Sequence, residues 1–386
     1  MRPLGLYVHW PFCRSKCPYC DFNSHVSTHV DYAAFGDAMC KEMTHMASLG
    51  EIKKPLSSIF FGGGTPSLMP PALVNRIIAQ AHDLFGFTAD IEITAEANPT
   101  SVEASALAGF KDAGINRISM GVQALDAASL SFLGREHSAS EALNALEVAR
   151  NLFRRVSIDL IYGLPDQSLS EWQNTLSELC GFGLDHLSLY QLTIEPGTVF
   201  YTRARRGEIL TAPDDAAADM FDMTHDVATS YGLPAYEISN FARVGEECRH
   251  NLIYWRAQDW LGIGPGAHGR ISNGDQRIAI ATRRSPQGWL DAVTIEGHGV
   301  ETQNEDNSED QITEILMMGL RLCEGVNIDI MEQRFGARAY WLNNERLSAL
   351  LDQNLLTLTK TDDGTRLMTT VSGRRFLNYI LAKILV

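Results

Sequence analysis

Positive charge is in short supply in this chain of 386 residues. There are 32 Lys and Arg against 47 Asp and Glu, a formal charge of −15. A nucleic-acid backbone needs a positive partner surface, so nucleic acid is not expected as a ligand. Long apolar runs are missing as well. No window approaches the ~18 uninterrupted apolar residues of a membrane span. Met1 to Trp10 lacks the apolar stretch and small-residue cleavage site of a secretory signal. The expectation is a cytosolic protein with no integral membrane segment. Cysteine is scarce, with seven residues in all. In a reducing compartment thiols stay free, so the three that fall between positions 13 and 20 point to metal or redox chemistry and not to disulfides. There are no internal repeats and no low-complexity segments.

Hydrophobic residues make up 45% and charged residues 20% of the chain, the balance of a soluble globular protein. Its length suggests roughly two or three domains. From Leu4 to about Ile194, short apolar runs alternate with amphipathic stretches. Strands are expected at Leu4–His9, Ser57–Phe61, Ile91–Ala95, Arg117–Gly121, Ser157–Tyr162 and His186–Gln191. Helices are expected at Tyr32–Leu49, Pro70–Phe85, Val102–Ala113, Ser140–Phe153 and Ser170–Phe182. Six strand–helix units in a row mean an α/β fold with a parallel sheet and helices outside it. The spacing fits an open sheet and a curved partial barrel equally well. A less regular region, 196–301, holds one clear helix after Pro213 and an aromatic, Gly-rich stretch from Ala235 to Arg270. An acidic linker, Thr302–Asn307, then leads to a third region, 302–386. Its helices and its hairpin, turned by Asp362-Asp363-Gly364, resemble a winged helix, with a last helix from Ser372 onward. From Glu305 that region carries 12 acidic and 9 basic residues, so its wing lacks the charge of a DNA reader.

The chemistry concentrates in Cys13-x3-Cys17-x2-Cys20, just past the end of the first strand, where ligand loops of parallel α/β folds gather. Thiolates hold iron–sulfur clusters, and most electron carriers supply four. Cys40, Cys180, Cys248 and Cys323 are scattered, so three ligands are expected, which leaves one iron of a [4Fe–4S] cluster open. A structural zinc site would want paired Cys-x2-Cys knuckles, and no second pair exists; His25 is the one residue placed to complete such a site. Gly62-Gly63-Gly64-Thr65 follows the second strand, as either a tight turn or a loop that brings backbone close to a ligand. Near the ends of later strands stand Glu96, Gln123, Arg135 and Asp159. A carboxylate in an apolar strand, as at Asp159, needs a partner, and Arg135 is a candidate.

The triad, led in by Tyr7-Val8-His9-Trp10-Pro11-Phe12, resembles the radical S-adenosylmethionine (SAM) enzymes. More narrowly it resembles the branch with oxygen-independent coproporphyrinogen III oxidase and its heme-chaperone relatives. The resemblance runs from about residue 4 to 380 and includes the GGGT loop and Ile158-Asp-Leu-Ile-Tyr-Gly-Leu-Pro165. It implies a partial (β/α)6 TIM-like barrel, a connecting region completing the site, and a helical winged-helix-like C-terminal domain. It also implies that the open iron chelates SAM and that a partner donates the electron that reduces the cluster. On this basis Tyr7, Gly63 and Glu96 match cofactor positions near the cluster. Gly63, Gly64 and Thr65 match the segment that meets the methionine end of SAM. Tyr19, Gly64, Thr65, Gln123, Arg135 and Asp159 match positions that hold a second SAM in the decarboxylating oxidase.

Two departures separate the chain from that oxidase. The oxidase has a further Cys where this chain has Phe22, and it carries an extension ahead of the motif, whereas this chain starts 12 residues before Cys13. Both match the chaperone relatives, as does His250-Asn251-Leu252-Ile253-Tyr254-Trp255. By itself that motif reads as a core histidine beside aromatic packing. The resemblance makes His250 a candidate axial heme ligand, with Tyr254 and Trp255 packing on the macrocycle and His9, His25, His29 and His268 as alternatives. The implied function is a heme chaperone delivering heme to acceptor proteins, respiratory ones by family analogy. Radical decarboxylation of coproporphyrinogen III is the alternative.

Overall fold

Two faces of one sheet explain the architecture. In the computed structural model, which describes residues 3–49, 54–274, 276–338 and 341–385, the six expected strands are β1 (Leu4–Trp10), β2 (Leu56–Gly63), β3 (Phe87–Ala97), β4 (Arg117–Gln123), β5 (Arg155–Tyr162) and β6 (His186–Gln191). They pair in parallel in chain order. Alternate residues such as Leu4, Leu6, Val8, Ile59, Phe61, Ile118, Ile158 and Leu187 are buried in the main core. That core packs them beneath α1 (Tyr32–Ser48), α2 (Pro71–Phe85), α3 (Ser101–Asp112), α4 (Ala139–Leu152) and α5 (Leu169–Gly181). Local chemistry starts these helices where the sequence suggests. Asp31 and Thr100 cap α1 and α3, and Ser138/Glu141 and Ser168/Glu171 form reciprocal capping boxes on α4 and α5.

The opposite face is polar. Registers place Gly5 beside Ser58, Ser58 beside Glu92, and Thr94 beside Arg117, which in turn pairs with Arg155. Higher up, Glu96 is beside Ser119, Ser119 beside Ser157, and Asp159 beside Ser188. Because strand residues alternate in direction, these side chains point to one side, the lumen of the partial barrel. Ser58, Glu92, Thr94, Arg117, Ser119, Arg155, Ser157, His186 and Ser188 are all buried there.

The irregular middle region completes the sheet on both sides. β7 (Asn240–Ala242) pairs antiparallel with β6, and β8 (Asp259–Ile263) lies parallel to β1. Beyond β8 come β9 (His268–Asn273), β10 (Gln276–Thr282) and β11 (Val300–Asp306), all antiparallel. The described residues form an eleven-stranded sheet ordered β11-β10-β9-β8-β1-β2-β3-β4-β5-β6-β7. The acidic stretch expected as a linker is therefore mostly edge strand β11. Its side chains are largely exposed, and their charge protects an unpaired edge. The C-terminal part has its own core, including Leu316, Leu347, Leu367 and Ile380. It holds α-helices at Ser308–Gly319, Ile328–Phe335 and Asn344–Asp352 and a hairpin, Leu356–Thr361 with Gly364–Thr369, to which Val326–Asn327 adds a short strand. The single last helix expected from Ser372 is two pieces, Val371–Arg374 and Leu377–Ile384. No described helix is long and apolar enough to cross a membrane.

A fully buried carboxylate ties the added strands to the barrel. Glu42, midway along α1, accepts hydrogen bonds from the backbone N–H of Gly264 (2.7 Å) and Gly299 (2.8 Å) and from Trp289 Nε1 (2.9 Å). Burial pushes its pKa up to about 7 despite these donors. Glu42→Ala should lower the folding free energy by about 2–3 kcal/mol, because three buried donors lose their acceptor. The folded state holds this proton up to about pH 7 and the unfolded state only to 4.5. Stability relative to Glu42→Gln should therefore fall as pH rises between those values and stay level above them. Denaturant midpoints at a series of pH values measure both.

Candidate functional site: a thiol-lined cavity over the barrel

The ends of β1 to β6 open into a cavity of about 460 Å³. Cys13, Cys17, Tyr19, Cys20, Gly63, Gly64, Thr65, Glu96, Gln123, Arg135 and Asp159 all line it, so the structure brings together every residue expected there except Tyr7. Cys40, Cys180, Cys248 and Cys323 lie elsewhere.

Backbone contacts explain how the glycine loop meets the thiol loop. Gly64 N–H donates to Trp10 O (2.6 Å) and Thr65 N–H to Phe12 O (2.9 Å), so the loop runs against the segment that delivers Cys13. A Cβ on Gly64 would sit 2.7 Å from Phe12 O, so no other residue fits without displacing backbone. Side chains then reach the sulfurs. Thr65 Oγ1 donates to Cys13 Sγ (3.4 Å) and Arg135 Nη1 to Cys17 Sγ (3.3 Å); Ser24 Oγ lies 3.9 Å from Cys20 Sγ. Burial, followed by the neighbouring thiols among smaller influences, raises the Cys13 pKa above its ordinary value. Three thiols with donors aimed at two of them form a donor set that suits an iron–sulfur cluster.

Asn98 links these donors. Its Oδ1 accepts from Arg135 Nη2 (2.5 Å), its Nδ2 reaches Thr65 Oγ1 (3.5 Å), and its backbone N–H donates to Glu103 Oε2 (2.8 Å). Asn98 lies two residues past Glu96 in the same segment. The sequence marks it only as a cap beside Pro99, so its central place was not evident there. Tyr190, at the end of β6, also lines the cavity, and its position at a strand's C-terminal end is the signal that points to it.

Farther inside, Glu96 Oε2 accepts from Gly63 N–H (3.3 Å), and Asp159 accepts from Ser119 Oγ (3.2 Å). Burial and then the charge of Asp159 push the Glu96 pKa up to about 8. Burial also raises that of Asp159, against the pull of Ser188, Arg117, Ser119 and Arg135. The expected partnership of Asp159 with Arg135 is thus electrostatic, while the guanidinium bonds Asn98, Gly121 O and Cys17. Tyr7 lies on the lumen face of β1. Its phenol donates to His9 Nδ1 (3.1 Å), while His9 Nε2–H donates to Asn23 O (2.9 Å) in the thiol loop.

The HNxxYW segment lies at the other end of the lumen. It forms α6 (Arg249–Trp255), which closes the barrel below the cavity. Glu92 receives the backbone N–H groups of Arg249 (3.3 Å) and His250 (3.2 Å), and Arg155 bonds Glu92 (2.5 Å) and the carbonyls of Glu246 and Glu247. Gly5 leaves the space: a Cβ there would meet Ile253 Cδ1 at 3.0 Å and the His250 ring at 3.2 Å. The expectation of His250 as an axial heme ligand does not fit this geometry. Its ring is 1% exposed, with Nδ1 bonded to Ser58 Oγ (2.8 Å) and Nε2 to the Tyr254 hydroxyl (2.7 Å), so neither nitrogen is free for iron. Burial also lowers its pKa to about 3. Nor do Tyr254 and Trp255 form one wall. Tyr254 packs edge-on to Trp260, whereas Trp255 lies under the Arg321 guanidinium of the C-terminal part, 4.5 Å away.

The model for the Radical SAM superfamily matches residues 7–179, the stretch that builds most of this cavity, and the HemN C-terminal domain matches 306–376. Among solved structures, coproporphyrinogen III oxidase (HemN) from Escherichia coli superposes with a TM-score of 0.81 at 26% identity, over 99% of this chain and 90% of that one. Heme chaperone HemW of Escherichia coli is 36% identical over 99% of this chain and 98% of its own length. The mitochondrial radical S-adenosyl methionine domain-containing protein 1 of Mus musculus is 41% identical over 92% of this chain and 82% of its own. The chain belongs to the HemW family of the radical SAM superfamily.

If Asn98 and Arg135 tune the thiol site, Arg135→Leu should lower the midpoint potential of the reconstituted cluster. Losing a positive charge and a hydrogen bond to sulfur disfavours the reduced, more negative state. A drop of roughly 60–130 mV corresponds to ~1.5–3 kcal/mol for a hydrogen bond to a charged group. Asn98→Ala should give a smaller drop in the same direction. An EPR-monitored redox titration measures the shift.

Proposed function

We propose that this protein is a heme chaperone that carries a [4Fe–4S] cluster on Cys13, Cys17 and Cys20 and binds SAM beside it. In this reading it receives heme and passes it to acceptor heme proteins of respiration, with a separate protein donating electrons to the cluster. The observation that carries the reading is the end-to-end similarity to a heme chaperone of nearly the same length, including the C-terminal part. Phe22, where the decarboxylating oxidase has a further Cys, supports it.

The residues present fit the cofactors. Three thiols line the cavity, and the glycine loop brings backbone without side chains close beside them. When bound, the reduced cluster supplies the electron that breaks the sulfonium bond of SAM. This chain's residues set the surroundings. Thr65 and Arg135 donate to sulfur and favour the charged thiolates. Gly63, Gly64 and Glu96 would face the amino-acid end of SAM, and Glu96 and Asp159 are acids whose charged form a cationic ligand would favour. Tyr19, Gln123, Arg135 and Asp159 extend the same cavity and would take a second SAM if one binds.

At neutral pH Glu96 keeps its proton, and a cationic ligand favours losing it. SAM affinity should therefore rise with pH, by up to about tenfold per unit, and level off above about 8. Glu96→Gln should flatten this profile. Equilibrium binding at a series of pH values checks it.

Anaerobically reconstituted protein should bind hemin stoichiometrically and form no protoporphyrinogen from coproporphyrinogen III with SAM and reductant. Steady turnover would favour the oxidase instead. Cys17→Ala should lose the brown chromophore and its iron, while Cys180→Ala, in the α5 core, should keep both.

A further inference from the structure

An imidazole placed to meet a heme iron lies beside the thiol loop and outside the HNxxYW motif. His268, the first residue of β9, is exposed, and its ring has no hydrogen-bond partner among the described residues. His25 stands nearby: His9 feels the charge of both rings. The two segments are joined by Asn23, whose Nδ2 donates to the carbonyls of Pro265 (2.9 Å) and Arg284 (2.9 Å) and whose Oδ1 meets His25 Nε2 (3.3 Å).

The rest of the patch suits a porphyrin. Phe22 and Val26 flank Asn23 and His25 in this loop, and each is 57% exposed. The Phe22 carbonyl accepts from Ser24 N–H (2.7 Å) and Lys16 Nζ (3.2 Å). Arg284 is exposed and in no ion pair among the described residues, and Lys16 adds a second cation. Lys16 and Phe22 also line the thiol cavity, so patch and cavity share a border.

We propose that an iron porphyrin docks on this patch, with His268 as an axial ligand, Phe22 and Val26 against the macrocycle, and Arg284 and Lys16 facing its carboxylates. This rests on the chaperone reading and names its heme site. His25 has its Nε2 engaged by Asn23, which leaves His268 as the freer ligand.

The test titrates reconstituted full-length protein with hemin and, in parallel, with metal-free protoporphyrin IX, measuring iron–sulfur content on each sample. His268→Ala should weaken hemin binding at least about tenfold and shift its absorption bands, while metal-free porphyrin binding is unchanged. Arg284→Glu should weaken both, and His250→Gln should keep the parent heme bands. If His268→Ala also loses iron–sulfur content, added imidazole decides the matter in His268→Gly: return of the parent bands supports the site and no return overturns it. Parent-like hemin bands and affinity in His268→Ala, with the parent binding heme, would overturn the site and leave the chaperone reading standing. A parent that takes up no hemin would overturn both.

Discussion

A polar group buried without a partner costs about 1–3 kcal/mol, and the lumen of this barrel is lined with them. One face of the parallel sheet is apolar and sits under helices; the other carries serines, two glutamates, two arginines, a histidine and an aspartate. The fold meets that constraint differently at its two ends. At the floor, α6 enters as a plug, and Ser58, Glu92 and Arg155 find partners in its backbone, in His250 and in the segment leading to it. At the roof, Glu96 accepts from Gly63 N–H and Asp159 from Ser119, and burial holds both pKa values up. The floor is plugged and structural, and the roof, where two buried acids with raised pKa values line an open cavity, is where ligands belong.

The same division accounts for the links between distant segments. Glu42 fixes the turn at Gly264, which lies against the backbone of His9. His9 in turn connects Tyr7 to the thiol loop, and Asn23 of that loop reaches Pro265 and Arg284. The irregular middle region therefore belongs to the site. It extends the sheet beside β1, seals the floor and buttresses the loop that holds the cysteines.

Much of this was legible in the sequence, for physical reasons. The six strands were visible because each carries a run of residues packed under helices whose capping residues mark where they begin. The thiols, the glycine loop, Glu96, Gln123, Arg135 and Asp159 were visible because they cluster at strand ends. Three features were hidden. Strand β8 pairs with β1 although about 250 residues separate them, and no local pattern reports such a pairing. Strand β11 looked like a linker because an exposed edge has no apolar side to show. His250 became a ligand candidate through the resemblance of its HNxxYW segment to the heme chaperones, whereas its contacts depend on Ser58 and Gly5, far away in the chain.

The central claim is that three thiolates at the roof leave one iron open and that SAM takes the open place. EPR spectra of the dithionite-reduced, reconstituted protein, recorded with and without SAM carrying a 15N-labelled amino group, test it most directly. The account predicts that SAM changes the g values of the reduced cluster and adds a 15N hyperfine coupling. A reduced [4Fe–4S] signal that SAM leaves unaltered, without 15N coupling, would contradict it.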